Sequence, residues 1–184
     1  MALRQIVTEG DRVLRKKCRP VTEYNQKLWD LLDDMKETLA EAKGLGLAAP
    51  QVGMLKRIVV IDVSAEQDQP IVLINPEIVE QDGEQTGWEG CLSVPGKSGQ
   101  VTRPQHVVAK ALNEDMEEFT IEGNDLLARA ICHELDHLEG HMYVELVEGR
   151  LYTNEELDEM AAKEEEAEEA GDAAAEAGDA AAEL

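Results

Sequence analysis

The sequence predicts an α+β fold in which short antiparallel sheets pack around a central helix. Three observations support this: an amphipathic helical segment comes first, several short β-rich runs follow, and a second helical segment is apolar on both sides. The chain has 184 residues, of which 43% are hydrophobic. That is enough for one compact core and too short for two ordinary domains.

The first helix is predicted over residues 25–43. Asn25 can cap its start and Gly44 can end it. Its apolar residues recur at helical spacing and form one face: Leu28, Leu31, Leu32, Met35, Leu39 and Ala42. A glycine-rich loop is predicted to follow, over residues 44–53.

Short strands and a buried helix are predicted for the middle of the chain. Turn residues separate β-rich runs at residues 57–63, 71–79, 106–112 and 118–122. The second helix is predicted over residues 125–139, with Asn124 as its cap and Gly140 just past its end. One side carries Leu127, Ile131, Leu135 and Leu138, and the other carries His133 and His137 beside Leu126 and Ala130. A helix that is apolar on both sides is a buried one, so this segment is the central helix of the predicted fold.

The chain is predicted to divide into a folded domain, residues 1–153, and an acidic tail, residues 154–184. From about residue 161 the tail is low in complexity, and the segment AGDAAAE occurs at residues 170–176 and again at 177–183. Such a segment has no apolar stripe to bury. We therefore predict that it is disordered or forms a solitary helix.

Most of the negative charge is concentrated in the tail. Of the formal net charge of −23, residues 155–184 contribute −12, with thirteen acidic residues and one lysine. Residues 1–154 are moderately acidic and contain no basic stripe of the kind that binds nucleic acid. We therefore expect no direct nucleic-acid binding.

Cysteine usage and the N-terminal residues predict a reducing cytoplasm. The cysteines, Cys18, Cys91 and Cys132, are odd in number, and the N-terminal segment lacks an apolar signal core. No apolar run approaches the roughly 20 residues that a membrane helix needs, so no membrane association is expected. Each cysteine is then predicted to be a small buried residue or a metal ligand.

The strongest functional motif is HExxH, at residues 133–137. Residues four apart share a helix face, so His133 and His137 can bind one metal ion. Glu134 beside them can act as a general base on water. Two imidazoles that face the same way on a buried helix, with a carboxylate between them, favour a metal site over ordinary buried histidines.

A catalytic site of this kind needs a third protein ligand, and the motif leaves three candidates. His141 gives a near match to the metzincin pattern, although Tyr143 stands where that pattern has its last histidine. Glu155 lies 18 residues beyond His137, in the manner of the downstream glutamate of gluzincin proteases. Cys91 lies far upstream, in the segment EGCLS.

Three motifs, taken in order, make the chain resemble the peptide deformylase family. They are a GxGxAAxQ loop at residues 44–51, EGCLS at residues 89–93 and HExxH at residues 133–137. The resemblance covers roughly residues 1–150. It implies a hydrolase that removes the N-formyl group from the N-terminal formyl-methionine of newly synthesised proteins and releases formate.

The resemblance also implies a role for each matching residue of the catalytic machinery. Cys91, His133 and His137 would hold the metal. Glu134 would take a proton from water and return it to the leaving amine. The oxyanion formed at the formyl carbon would be bound by two donors, the side-chain amide of Gln51 and the backbone N–H of Leu92.

A second group of residues is implied to contact the substrate: Leu45, Gly46, Gly90, Leu126 and Ala130. Leu45, Gly46 and Gly90 would run beside the substrate backbone, where a residue without a Cβ lets another chain come close. Leu45, Leu126 and Ala130 are expected to line an apolar pocket for the methionine side chain.

The donor set restricts the metal, and the tail restricts the partners. One thiolate and two imidazoles suit Fe²⁺, Zn²⁺, Ni²⁺ or Co²⁺, and the resemblance favours Fe²⁺ with Zn²⁺ as a weaker substitute. The implied partners are N-formyl-methionyl nascent peptides near the ribosome. Some family members dock there through a basic C-terminal helix, but RNA phosphate should repel this acidic tail, so docking is not expected through it.

Two other function classes remain open from the residues alone. In a zincin-type endopeptidase or aminopeptidase, Glu155 would replace Cys91 as the third ligand. A non-catalytic binder of a metal or a formyl peptide would need neither Glu134 as a base nor Gln51 as an oxyanion donor.

Overall fold

The computed structural model of the chain describes residues 2–182, and the side chains of residues 2–170. Its α-helices are α1 (Gln26–Ala42), α2 (Asp125–Leu138) and α3 (Asn154–Ala182). Its first four strands are β1 (Gly46–Ala48), β2 (Ile58–Ile61), β3 (Ile71–Asp82) and β4 (Gln85–Cys91). The remaining strands are β5 (Val94–Arg103), β6 (His106–Leu112), β7 (Glu118–Asn124) and β8 (Glu148–Thr153).

The strands form two antiparallel sheets. The larger has the order β1-β2-β3-β6-β7, and the smaller has the order β4-β5-β8. α2 packs between them, against β7, β1 and β2 on one side and β5 on the other. The predicted α+β fold, with short antiparallel sheets around a central helix, is confirmed.

The larger sheet is covered on both faces in its centre. Val59 and Ile61 of β2 belong to the apolar cluster around α2, while Ile58 and Val60 belong to the cluster around α1. Successive side chains of a strand point to opposite faces, so an apolar run of four residues lies buried between two helices. This sandwich holds α2 in a fixed position relative to β1.

The first predicted helix is confirmed. Asn25 caps it, because its side-chain oxygen accepts a hydrogen bond from the Leu28 N–H at 3.3 Å. Gly44 was predicted to end the helix, and its N–H bonds the Leu39 carbonyl at 3.4 Å just past the last turn. The residue in the left-handed conformation is Lys43, with φ 53°, and its N–H bonds the carbonyls of Ala40 and Leu39.

The strand predictions were right for β2, β3, β6 and β7 but missed β1, β4, β5 and β8. The predicted glycine-rich loop in fact contains β1 and a 3₁₀ turn at Ala49–Val52. β4 and β5 carry four glycines and many polar residues, so they lack the apolar alternation that marks a strand. These strands are stabilised by pairing between β4 and β5 and between β5 and β8, and a local sequence pattern does not reveal such pairing.

The central helix α2 is buried along most of its length and ends where predicted. Gly140 has φ 79° and donates to the His137 carbonyl at 3.1 Å, while His141 donates to the Asp136 carbonyl at 3.0 Å. These two hydrogen bonds form a Schellman motif. Asn124 lies at the N-cap position, but its side chain makes no capping hydrogen bond.

The tail is helical, which is one of the two predicted alternatives. α3 begins with a capping box: Glu156 N–H donates to the Thr153 hydroxyl at 3.2 Å, and Thr153 N–H donates to the Glu156 carboxylate at 2.8 Å. Residues 158–170 are all exposed. The last two residues of the chain, including Glu183 of the repeated segment, lie outside the described residues. Within residues 2–182, no helix combines the length and the apolar character needed to cross a membrane.

Candidate active site and metal centre

Three metal-ligating side chains converge between α2 and the end of β4. The sulfur of Cys91 lies 3.4 Å from Nε2 of His137, and ligand atoms of Cys91, His133 and His137 all lie within 4.8 Å of one another. His141 is exposed and pairs with Glu145 at 3.1 Å, and Glu155 is exposed on α3. Of the three candidate third ligands, the fold therefore brings only Cys91 to the two histidines of HExxH.

Glu89 orients His133 from the side opposite the cysteine. The Nδ1 atom of His133 lies 2.5 Å from Oε1 of Glu89, and this leaves Nε2 free to ligate. The ring of His133 also stacks on Tyr143, with centroids 5.8 Å apart. The imidazole is thus held in one orientation by a hydrogen bond and by packing.

Glu89 is itself embedded in buried positive charge. Arg103 donates to it from Nη2 at 2.6 Å and Arg129 donates from Nη1 at 2.8 Å. Burial alone would raise the pKa of Glu89, but the hydrogen bonds from His133 and Arg103 outweigh it and lower the pKa to about 2. The carboxylate beside His133 therefore stays ionised.

Glu89 and Arg129 had no assigned role in the sequence prediction. Glu89 stood inside a recognised motif, but nothing local showed that it pairs with Arg103 and Arg129, which lie 14 and 40 residues further along the chain. Arg103 also donates to Asp136 on α2 at 2.6 Å, so it ties β5 to the metal-binding helix.

The charges around the three ligands suit a divalent cation. Burial and the nearby charge of His133 together lower the pKa of His137 to about 3, so the imidazole is neutral, as a ligand must be. Cys91 and Glu89 raise the pKa of His133 to about 10 against the effect of burial, and the same negative groups would stabilise a cation there. Oε2 of Glu134 and Nδ1 of His137 are buried without a hydrogen-bond partner among the described residues.

Gln51 is buried and points its amide at the site. Its Oε1 accepts from the Ala48 N–H at 2.9 Å, which fixes the orientation of the amide. Its Nε2 consequently faces Ser93 Oγ at 3.1 Å and Cys91 Sγ at 3.5 Å. A donor anchored in this way is prearranged for a negative oxygen near the cysteine.

Glu134 lies against the backbone of β1. A Cβ built on Gly46 would stand 2.6 Å from Cδ of Glu134 and 2.7 Å from its Cγ. The absence of a side chain at Gly46 thus lets Glu134 of α2 come close to β1, independently of any contact between Gly46 and a substrate. Burial raises the pKa of Glu134 to about 7, which places it in the range where a carboxyl both accepts and donates a proton near neutral pH.

One cavity of about 450 Å³ opens over these groups. Its lining includes every residue predicted for substrate and for catalysis: Leu45, Gly46, Gln51, Gly90, Leu92, Leu126, Ala130 and Glu134. Leu45 and Leu126 are 42% and 45% exposed at its mouth, whereas Ala130 is buried. Trp88, which was not predicted, is a third large apolar residue of the lining and is 41% exposed.

Comparisons with known proteins all lead to one family. A family model described as polypeptide deformylase matches residues 3–151. The peptide deformylase of Agathobacter rectalis is 68% identical over 152 residues, covering 83% of this chain and 94% of that protein. The peptide deformylase of Lachnoclostridium phytofermentans is 54% identical over 169 residues, covering 92% of this chain and 100% of that protein. A crystal structure of a peptide deformylase from Legionella pneumophila superposes with a TM-score of 0.78 at 42% identity, covering 80% of this chain and 88% of that one.

The two histidines of an HExxH helix lie beside a cysteine at the end of a strand, and this arrangement is typical of metal-dependent hydrolases. The matches narrow that class to one family. The chain belongs to the polypeptide deformylase family, hydrolases that remove the N-formyl group from nascent peptides. The predicted family and function are confirmed.

Proposed function

We propose that this chain removes the formyl group with one divalent metal ion held by Cys91, His133 and His137. The observation that carries the proposal is the convergence of these three side chains with Glu134 and Gln51 at one cavity. When bound, such an ion acts as a Lewis acid and makes water acidic enough to ionise near neutral pH.

Glu134 moves the proton in this mechanism. It takes a proton from the attacking water, whose oxygen then bonds to the formyl carbon. The protonated carboxyl then gives that proton to the amide nitrogen, so the carbon–nitrogen bond breaks to leave formate and a free N-terminal amine. The pKa of about 7 that burial gives Glu134 suits both halves of the transfer.

Gln51 and Leu92 stabilise the negative oxygen that forms on the formyl carbon. The Gln51 Nε2 faces the cysteine, and Leu92 follows that cysteine directly in the turn between β4 and β5. We propose that the side-chain amide of Gln51 and the backbone N–H of Leu92 both donate to this oxygen.

The substrate binds in the cavity with its methionine side chain buried. Leu45, Leu126 and Ala130 form the apolar wall for the methionine. Gly46 and Gly90 lie beside the substrate backbone on opposite walls, in β1 and β4.

The native ion is proposed to be Fe²⁺. One thiolate and two imidazoles also accept Zn²⁺, Ni²⁺ or Co²⁺, so the protein should exchange its metal according to supply. Protein purified without oxygen should contain iron, and its activity should fall when air is admitted.

The setting of the reaction follows from its substrate. We propose that residues 1–153 form the catalytic domain, that residues 154–184 are an appendage, and that the protein acts in the cytoplasm on chains emerging from the ribosome. Ribosome contact through the tail is not proposed, because its charge of −12 opposes RNA phosphate.

The test is formate release from a formyl-methionyl peptide, with metal content measured in the same samples. Wild-type protein should release formate and carry about one ion per chain. Cys91→Ala should lose most of the metal and the activity, because two imidazoles alone hold a catalytic ion poorly. Undiminished metal in Cys91→Ala would remove Cys91 from the ligand set, and no formate from metal-loaded wild type would overturn the function.

A further inference from the structure

The mouth of the cavity differs in charge from the chain as a whole. Lys43 and Lys97 both line it and are both exposed. Glu89 and Glu134 are the only carboxylates among the lining residues described, and both are buried. The mouth therefore presents positive charge in a protein with 40 acidic and 17 basic residues.

The positive charge of both lysines is available to a ligand. Neither forms an ion pair with any residue whose side chain the structure describes. Glu89 cannot neutralise them, because it is already paired with Arg103 and Arg129.

Lys43 is held at this place by the end of α1. Its φ of 53° lies in the left-handed region, where glycine is the usual residue, and its N–H is fixed by hydrogen bonds to Ala40 and Leu39. The end of α1 therefore fixes where the Lys43 side chain leaves the backbone, beside the cavity.

Lys97 is held in place from the other side of the cavity. Its carbonyl accepts a hydrogen bond from the Tyr143 hydroxyl at 3.2 Å, and its backbone pairs with Thr153 of β8. The backbone of each lysine is thus fixed, and each residue is exposed in the lining of the cavity.

We propose that Lys43 and Lys97 make the site prefer formyl-methionyl peptides with acidic side chains after the methionine. The inference rests on the proposed function. A methionine seated in the cavity requires the rest of the peptide to leave through the mouth, past these lysines. The two lysines attract a carboxylate there and repel a basic side chain.

The effect should be modest and sensitive to salt. Exposed charge pairs are weak, so the preference for acidic over basic peptide should be about 3–10-fold in kcat/KM. It should shrink toward equality near 1 M salt, where the screening length is about 3 Å. The difference should appear in KM more than in kcat, because the charges lie away from the reacting carbon.

The test is a competition between formyl-Met-Ala-Asp-Asp and formyl-Met-Ala-Lys-Lys in one reaction with the full-length, metal-loaded protein. The ratio of the two deformylated products, measured by mass spectrometry, gives the ratio of kcat/KM values. Lys43→Gln and Lys97→Gln should each reduce the preference, and the double variant should abolish it. Lys27→Gln is the matched control, because it makes the same charge change at the far end of α1 and should keep the preference.

Two outcomes overturn the proposal while leaving the enzyme assignment intact. One is equal use of the two peptides by the wild type at low salt. The other is a preference that survives in the double variant. Failure to deformylate either peptide is distinguishable from both, because it contradicts the proposed function itself.

Discussion

The hydrogen bonds of Gln51 and Glu134 suggest different roles for these two side chains. Gln51 uses its oxygen to hold Ala48, so its nitrogen must face Cys91. Glu134 has one oxygen without a partner among the described residues and a pKa raised by burial to about 7. The first arrangement suits a fixed donor, and the second suits a group that exchanges protons. The two residues should therefore fail differently when they are replaced.

Glu134→Ala should keep its metal but lose about 10²–10⁴-fold in kcat, the usual value of general acid–base assistance. Gln51→Ala should also keep its metal and lose about 10²–10³-fold, mainly in kcat, because the donor acts on charge that develops during the reaction. Steady-state formate release with metal analysis of each variant measures both effects. Since Gln51→Ala also leaves the Ala48 N–H unpaired, its thermal stability has to be recorded alongside. Near wild-type turnover in Gln51→Ala would show that the glycine-rich segment is only structural.

At the scale of elements, catalysis depends on how closely α2 approaches β1. β2 is buried between two helices, and its pairing with β1 fixes the position of β1. The Glu134 side chain then reaches the active site across the space left by the missing side chain of Gly46. A glycine is thus required by packing within the protein, in addition to any close approach by substrate.

Gly46→Ala should destabilise the protein by about 1–3 kcal/mol, because the added methyl group overlaps the Glu134 side chain. The same substitution should cost much less in a Glu134→Ala background, where the overlapping atoms are gone. Urea unfolding of the two single variants and the double variant measures this coupling. An equal loss in both backgrounds would place the cost of Gly46→Ala elsewhere.

The sequence predicted those elements whose signal is local. α1 and α2 have helical apolar spacing, and β2, β3, β6 and β7 are short runs with apolar and β-branched residues between turn residues, so each was found. β4, β5 and β8 are stabilised by pairing between distant segments, and no local pattern marks them. The same distinction between local and long-range signals applies to the residues of the site. The residues in recognisable motifs were given roles, while Arg129 and Tyr143, which support His133 from distant positions, were not. The assigned roles at the site stay predictions until the variants are measured.

At the scale of the whole molecule, the N-terminal segment and the tail contribute in opposite ways. Residues near the N-terminus form hydrogen bonds with the segments that carry the site. The Val7 N–H donates to the backbone carbonyl of Gln51 at 2.8 Å, and the Glu9 N–H donates to that of Ser93 at 2.7 Å. α3 instead leaves the domain after β8, and its described side chains from residue 158 onward are exposed. The N-terminal residues should thus matter for the site, and the tail should not.

Truncation after Thr153 should leave kcat/KM on small formyl peptides within about twofold of wild type, because none of the described residues of α3 lines the cavity. A shorter truncation that removes residues 171–184 is the control, since it keeps the Arg150–Glu156 ion pair at the start of α3. Circular dichroism establishes that both shortened proteins are folded. A large loss of turnover in folded protein, restricted to the longer truncation, would assign the tail or Glu155 a part in the site.

The buried charge cluster around Glu89 has a consequence for how such a site can evolve. The carboxylate of Glu89, at the end of β4, is shared by three partners. They are Arg103 of β5 and Arg129 and His133 of α2. Loss of Glu89 leaves the buried Arg129 without an ion-pair partner among the described residues, and an uncompensated buried charge typically costs about 3–5 kcal/mol. The effect of one substitution must then depend strongly on which residues occupy the other positions. Mutational paths through this cluster are therefore epistatic, and a viable route to a different arrangement has to change carboxylate and guanidinium together.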